Sequence, residues 1–277
     1  MSGIAFAGSG LGMVVMPLVV SWFIRVYNWR WSLVFMSGII LVCTVLAAIL
    51  LRNDPRDMGL SPYGADNKVH EKVSAKTHFK TISVSLKQAL RTREFWLLAA
   101  VLFCYGFCFV AYQVHIVVHA IDVGVSSNNA ALIITIMGGA TIVGQLGLGG
   151  IGDRLGNKRA FVFGLGCILA AVSLIAFARE FWYFGVFAVL MGLAFGDCST
   201  QESPIVAWLF GLGSHGTILG VFAFAFTCGA ALGPLVFGAI YDARGSYQLA
   251  SYISIILAVV ALFLASFLKR SSVQQKV

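Results

Sequence analysis

The chain has 277 residues, of which 59% are hydrophobic and 11% charged, against roughly 25% charged in an ordinary soluble domain. A water-soluble fold of this size lacks the polar cover to hide so much apolar surface. Soluble enzymes, soluble DNA-binding domains and disordered chains are thereby excluded, and the net charge of +8 does not point to nucleic acid, because Lys and Arg collect between apolar runs rather than on one face.

Eight stretches are long and apolar enough to cross about 30 Å of hydrocarbon as helices. They run over 4–24, 31–51, 95–121, 130–151, 160–178, 183–210, 217–241 and 247–268. Helices are required because lipid offers no partner to a free backbone N–H or C=O. The first run has neither the basic flank nor the small-residue cleavage site of a secretory signal. All six cysteines (Cys43, Cys104, Cys108, Cys167, Cys198, Cys228) fall inside these runs without CxxC spacing. They read as packing residues, with no disulfide framework and no zinc site.

Between the second and third runs lies the one long loop, 52–94. Its second half reads as a short amphipathic helix on the membrane surface or as a plain linker. For the helix, Ile82, Leu86 and Leu90 share a face, Lys87 and Arg91 are four apart, and Ser85 with Gln88 has capping-box spacing. Loops alternate in charge: one side of the membrane collects 15 Lys and Arg, the other 4. The positive-inside bias predicts that both termini and the 52–94 loop are cytoplasmic, in a multi-pass protein of the cell membrane.

Two internal repeats appear. Gly12-Met-Val-Val-Met-Pro17-Leu18-Val19 recurs as Gly229-Ala-Ala-Leu-Gly-Pro234-Leu235-Val236, which matches span one to span seven and sets a period of six. Gly149-Gly-Ile151-Gly-Asp153-Arg-Leu-Gly156 resembles Gly238-Ala-Ile240-Tyr-Asp242-Ala-Arg-Gly245. By the charge count these two lie on opposite membrane faces, the signature of an inverted three-helix repeat. The scheme predicts two six-helix halves, with four spans preceding span one: residues 1–51 as the last two helices of the N-terminal half, 52–94 as the cytoplasmic central loop, and 95–277 as a six-helix C-terminal half. Met1 then reads as an internal methionine adopted as a start.

The motifs resemble those of the major facilitator superfamily. Gly149-Gly-Ile-Gly-Asp153-Arg154-Leu-Gly156-Asn-Lys158-Arg159 is similar to its loop signature, G-x-x-x-D-R-x-G followed by basic residues. Arg52-Asn-Asp-Pro55-Arg-Asp57-Met-Gly59 and Leu209-Phe210-Gly211 through Gly216-Thr217-Ile218-Leu219-Gly220 resemble bacterial oxalate/formate-type and monocarboxylate-type porters. The resemblance implies an all-α membrane protein, eight helices of a truncated twelve-helix fold, and secondary active transport by alternating access. It also implies a latch in which Gly149, Asp153, Arg154, Gly156, Lys158 and Arg159 hold one state: the Asp153 carboxylate faces a neighbouring helix N-terminus until rocking breaks the contact. Glycine pairs at small-xxx-small spacing (Gly8/Gly12, Gly192/Gly196, Gly216/Gly220, Gly229/Gly233) mark close helix crossings.

Polar groups inside the spans mark candidate sites. The third span carries Tyr105, Cys108, Tyr112, His115 and His119 on one face. The resemblance makes this a cavity-lining helix, with Tyr105, Tyr112 and His115 as substrate contacts, although His115 and His119 also read as interfacial anchors. His115-x-x-x-His119 has metal-ligand spacing, but no second histidine pair supports a metal site, and no cofactor is implied. The sixth span carries Asp197-Cys-Ser-Thr-Gln201-Glu202-Ser-Pro204. A charged Asp at mid-bilayer costs roughly 2.5–3.5 kcal/mol, and a carboxylate there is suited to taking up and releasing a proton. Asp197 and Gln201 share a face, with Glu202 about 140° around the helix. The favoured set is Asp197 and Gln201 for substrate, with Asp197 and Glu202 for proton coupling; carboxylates paired only for structure are the alternative.

The expected function is a proton-coupled symporter or antiporter for a small metabolite, a monocarboxylate first. Its partners are that substrate, protons and lipid, with no nucleic acid. Spans 130–151 and 217–241 carry no Lys or Arg, which weakens the case for an anion. The rivals are a truncated, non-transporting remnant, a half-transporter whose partner is the missing N-terminal half, and an intramembrane enzyme. No nucleophile–base–metal set supports the last.

Overall fold

In the computed structural model the described residues are 2–50, 84–150, 152, 156–178 and 180–269. They are helical, with no strand among them. In chain order the helices are α1 (Ser2–Val26), α2 (Trp29–Leu50), α3 (Leu86–Ala89), α4 (Arg93–Asp122), α5 (Ser127–Val143), α6 (Asn157–Ile175), α7 (Phe181–Phe210), α8 (His215–Arg244) and α9 (Gln248–Ser266). All but α3 are long and apolar enough to cross a membrane, α5 together with the π-turn Gly144–Leu148 that continues it. Each then coincides with a predicted span to within a few residues.

Local chemistry explains the ends. The Asn28 side chain accepts from the Trp31 N–H at 3.0 Å and starts α2. Ser126 Oγ accepts from the Asn129 N–H at 3.4 Å and starts α5. The capping box is present before α3: the Ser85 N–H donates to Gln88 Oε1 at 2.9 Å, and the Gln88 N–H donates to Ser85 Oγ at 3.3 Å. The helix it starts is a single turn, however, with Val84 and Ala89 buried in the core. So short a turn is marginal by itself and depends on that packing. Ile82 lies outside the described residues.

The chain forms two compact units, residues 15–81 and residues 1–14 with 82–277. In the first, the hairpin of α1 and α2 closes with Phe23 stacked on Phe35 at 4.0 Å between ring centres. The second contains α4 to α9 and most of the buried core. Its principal helix pairs are α4 with α8, α5 with α7, α6 with α7, α4 with α9 and α6 with α9. Exchanging α4 with α7, α5 with α8 and α6 with α9 leaves this set of pairs unchanged. That invariance is an inverted three-helix repeat expressed as packing.

Glycines allow the two equivalent crossings. At α4–α8 a Cβ on Gly106 would meet the Phe226 carbonyl, and one on Gly229 the Phe103 carbonyl. At α5–α7 a Cβ on Gly192 would meet the Met137 carbonyl, and one on Gly196 the Thr141 carbonyl. Two of the four predicted small-residue pairs therefore sit at backbone-to-backbone crossings. Gly8, Gly12, Gly216 and Gly220 have open space where a Cβ would go.

Candidate functional site

The polar face of α4 turns inward. Tyr105, Cys108 and Tyr112 are buried, and neither tyrosine hydroxyl has a hydrogen-bond partner among the described residues. Tyr112 packs between Phe187 of α7 and Phe237 of α8, at 5.2 and 5.0 Å between ring centres. Its hydroxyl lies near Ser251 and Ser254 of α9, and the Cys108 thiol donates to the Ser254 carbonyl at 3.6 Å.

His115 has both ring nitrogens engaged: Nε2 is 3.1 Å from the Pro234 carbonyl and Nδ1 is 3.1 Å from the Tyr247 hydroxyl. The carbonyl can only accept, so Nε2–H donates to it, while Nδ1 and the Tyr247 hydroxyl are hydrogen-bonded to each other. This ties α4 to α8 and to the turn before α9. The sequence signals nothing of this pairing, because Tyr247 is 132 positions away.

On α7, Asp197 is 0% exposed and Gln201 2%. Neither Asp197 oxygen has a well-formed hydrogen bond among the described residues, nor does Gln201 Oε1. Asp197 packs on the backbone of α6 at Gly164, where a Cβ would lie 2.6 Å from Oδ2. The Gln201 side chain packs on Gly152, beyond the π-turn Gly144–Leu148 that follows α5. Tyr105 of α4 lies within electrostatic reach of Cys198, Glu202 and Asp197 of α7. Glu202 itself is half-buried, on the adjoining face. Thr200 Oγ donates to the Asp197 carbonyl at 2.8 Å.

In the predicted latch, Gly149, Gly156, Lys158 and Arg159 are described, whereas Asp153 and Arg154 lie outside the described residues. Gly156 precedes α6 with φ of +94°, a conformation that only glycine adopts without strain. Lys158 Nζ donates to the Ser266 carbonyl at 2.7 Å, at the last turn of α9, where a cation is favoured by the helix dipole. A π-turn over Gly144–Leu148 extends α5 toward this loop. There Gln145 donates to Ser9 Oγ at 2.9 Å.

The sequence model of the Major Facilitator Superfamily matches residues 1–196 and again 116–277. The chain belongs to this superfamily. It is 28% identical over 275 residues to Monocarboxylate transporter 12 of Rattus norvegicus, covering 90% of this chain and 55% of that protein. It is 27% identical over 256 residues to the MFS transporter asaE of Aspergillus flavus, covering 88% and 53%. The chain thus spans a little over half the length of the curated relatives it matches. The solved structure of the E. coli fucose:proton symporter FucP superposes with a TM-score of 0.63 at 18% identity, covering 88% of this chain and 57% of that one. This likeness shows the fold. The protein is therefore a multi-pass, all-helical membrane protein of a transporter superfamily.

Proposed function

We propose that the chain moves a small metabolite across the cell membrane by alternating access, coupled to protons through Asp197. In this reading residues 1–51 supply the last two helices of one half, 95–277 supply the other half, and 52–94 joins them on the cytoplasmic side. The observation that carries proton coupling is the Asp197 carboxylate, wholly buried with neither oxygen well paired. An acidic group in that position is costly unless it takes up a proton, and protonation relieves the cost in one transport state and not in the other.

A monocarboxylate is the first substrate class. Supporting it are the names of the curated relatives, monocarboxylate transporter 12 among them. Against it, the only Lys or Arg described in α5 or α8 is Arg244, at the very end of α8. The test is uptake of a radiolabelled monocarboxylate into proteoliposomes. Asp197→Asn is expected to abolish uptake driven by an inward proton gradient while leaving counterflow exchange in place. Acid-driven uptake at the unsubstituted level rejects the coupling role.

A further inference from the structure

At the Arg93 end of the six-helix unit α4 and α6 start and α9 finishes, and two cations close on consecutive residues of α9. Lys158 of α6 donates to the Ser266 carbonyl at 2.7 Å, and the Arg93 guanidinium carbon of α4 lies 5.9 Å from the centre of the Phe267 ring. Arg159, next to Lys158, and Lys269, two residues past Phe267, are both exposed. Among the described residues these three helix ends carry four cations against one carboxylate, Glu94. Arg93 is the first residue of α4, and Lys158 and Arg159 follow the first residue of α6. The helix dipole disfavours a cation at such positions, and neither helix start has a side-chain cap. An anion in front of the two starts removes that conflict and meets the cations at once.

An apolar stripe leads away from the same place. Ile256, Val259, Val260, Phe263 and Phe267 recur at steps of three and four along α9, each at least 40% exposed. Phe263 meets Phe267 edge to face at 4.8 Å between ring centres. From Ile256 to Phe267 the stripe runs about 17 Å at 1.5 Å per residue, close to half of the ~30 Å hydrocarbon core. Trp96, three residues after Arg93 on the same face of α4, is 63% exposed, and its indole N–H donates to the Leu90 carbonyl at 3.1 Å. An exposed indole of this kind sits at the boundary between headgroups and hydrocarbon. Cations at one end, an apolar track one leaflet deep and a ring at the boundary match the parts of a phospholipid.

We propose that this end of the unit binds one anionic phospholipid, with its phosphate between Arg93 and Lys158 and an acyl chain along the α9 stripe. In the orientation proposed above, this end lies in the cytoplasmic leaflet, where anionic lipids concentrate. A zwitterionic headgroup fits less well, because its own cation is repelled by Arg159 and Lys269. The site depends neither on Asp197 nor on the transported substrate.

Native mass spectrometry of the intact, delipidated chain in detergent tests this, with phosphatidylglycerol and phosphatidylcholine of matched acyl chains offered together. The first lipid retained is expected to be phosphatidylglycerol, severalfold in excess. Arg93→Gln, at an exposed position, should lower that preference, and Arg93→Gln combined with Lys158→Gln should abolish it. Lys158 also holds the end of α9, so Lys158→Arg, which keeps the charge, is expected to retain the preference. Arg244→Gln, an exposed cation at the opposite end of the unit, should leave it intact. Excess inorganic phosphate should fail to displace the lipid, because the acyl chain contributes to binding. Four results overturn the proposal: equal retention of the two lipids, an unchanged preference in the double variant, as large a loss in Arg244→Gln as in Arg93→Gln, or displacement by phosphate alone.

Discussion

Asp197 and Gly164 show how one residue's chemistry dictates another's size. The carboxylate occupies space on α6 that a Cβ would fill, lying 2.6 Å from Oδ2 and 2.8 Å from Cys198 Sγ. Gly164→Ala is therefore expected to destabilise the protein by about 1–3 kcal/mol, the usual cost of overpacking, read as a lower melting temperature in detergent. Asp197→Ala in the same chain should recover part of that loss, so a double-mutant cycle shows positive coupling. Independent, additive losses would mean that the two do not touch. His115 behaves differently: both its ring nitrogens are committed within the chain. His115→Ala leaves the half-buried Pro234 carbonyl and the Tyr247 hydroxyl short of a partner, with an expected loss of about 1–3 kcal/mol. A substrate contact at His115 requires one of those bonds to open during the transport cycle.

At the scale of helices, the equivalent crossings α4–α8 and α5–α7 depend on glycine where backbone meets backbone. A carbonyl cannot yield as a side chain can, so Gly229→Val and Gly196→Val are expected to lower the melting temperature sharply. Gly220→Val, on the open side of α8, should leave it near the unsubstituted value. Equal losses at Gly229 and Gly220 would show that spacing alone, without the crossing, sets the cost. The sequence marks all four small-residue pairs identically. Only the packing separates the crossings from the open faces, because a GxxxG pattern says that a helix can be approached closely and not which neighbour approaches.

For the whole molecule, the pairing of α4 to α9 is unchanged when the two helix triplets are exchanged, and the charge bias of the loops predicts how that unit sits in the bilayer. In a cysteine-free background, His70→Cys is expected to react with a membrane-impermeant maleimide only after the cytoplasmic face is opened. Ser126→Cys should react in intact cells. The reverse pattern would overturn the proposed orientation.

Sequence by itself determined the solvent, the helices, the family motif and the presence of a carboxylate at mid-span. These follow from local or additive properties: a run of apolar residues must be helical in lipid whatever surrounds it, and a loop signature is contiguous. It also placed Tyr105, Tyr112, Asp197 and Gln201 on inward faces, since a polar stripe has nowhere else to go. It did not find Ser251, Ser254, Tyr247 or Gly164. Hydroxyls and glycines are ordinary in apolar helices, and their meaning depends on which atom of a distant helix they meet. Tertiary structure decided that His115 is tied to Pro234 and Tyr247, that Gln201 rests on Gly152, and that Asp197 faces α6 with Tyr105 nearby. Rotation of each helix about its axis sets these pairings, and that rotation is fixed by the sum of many small packing contacts spread along the chain.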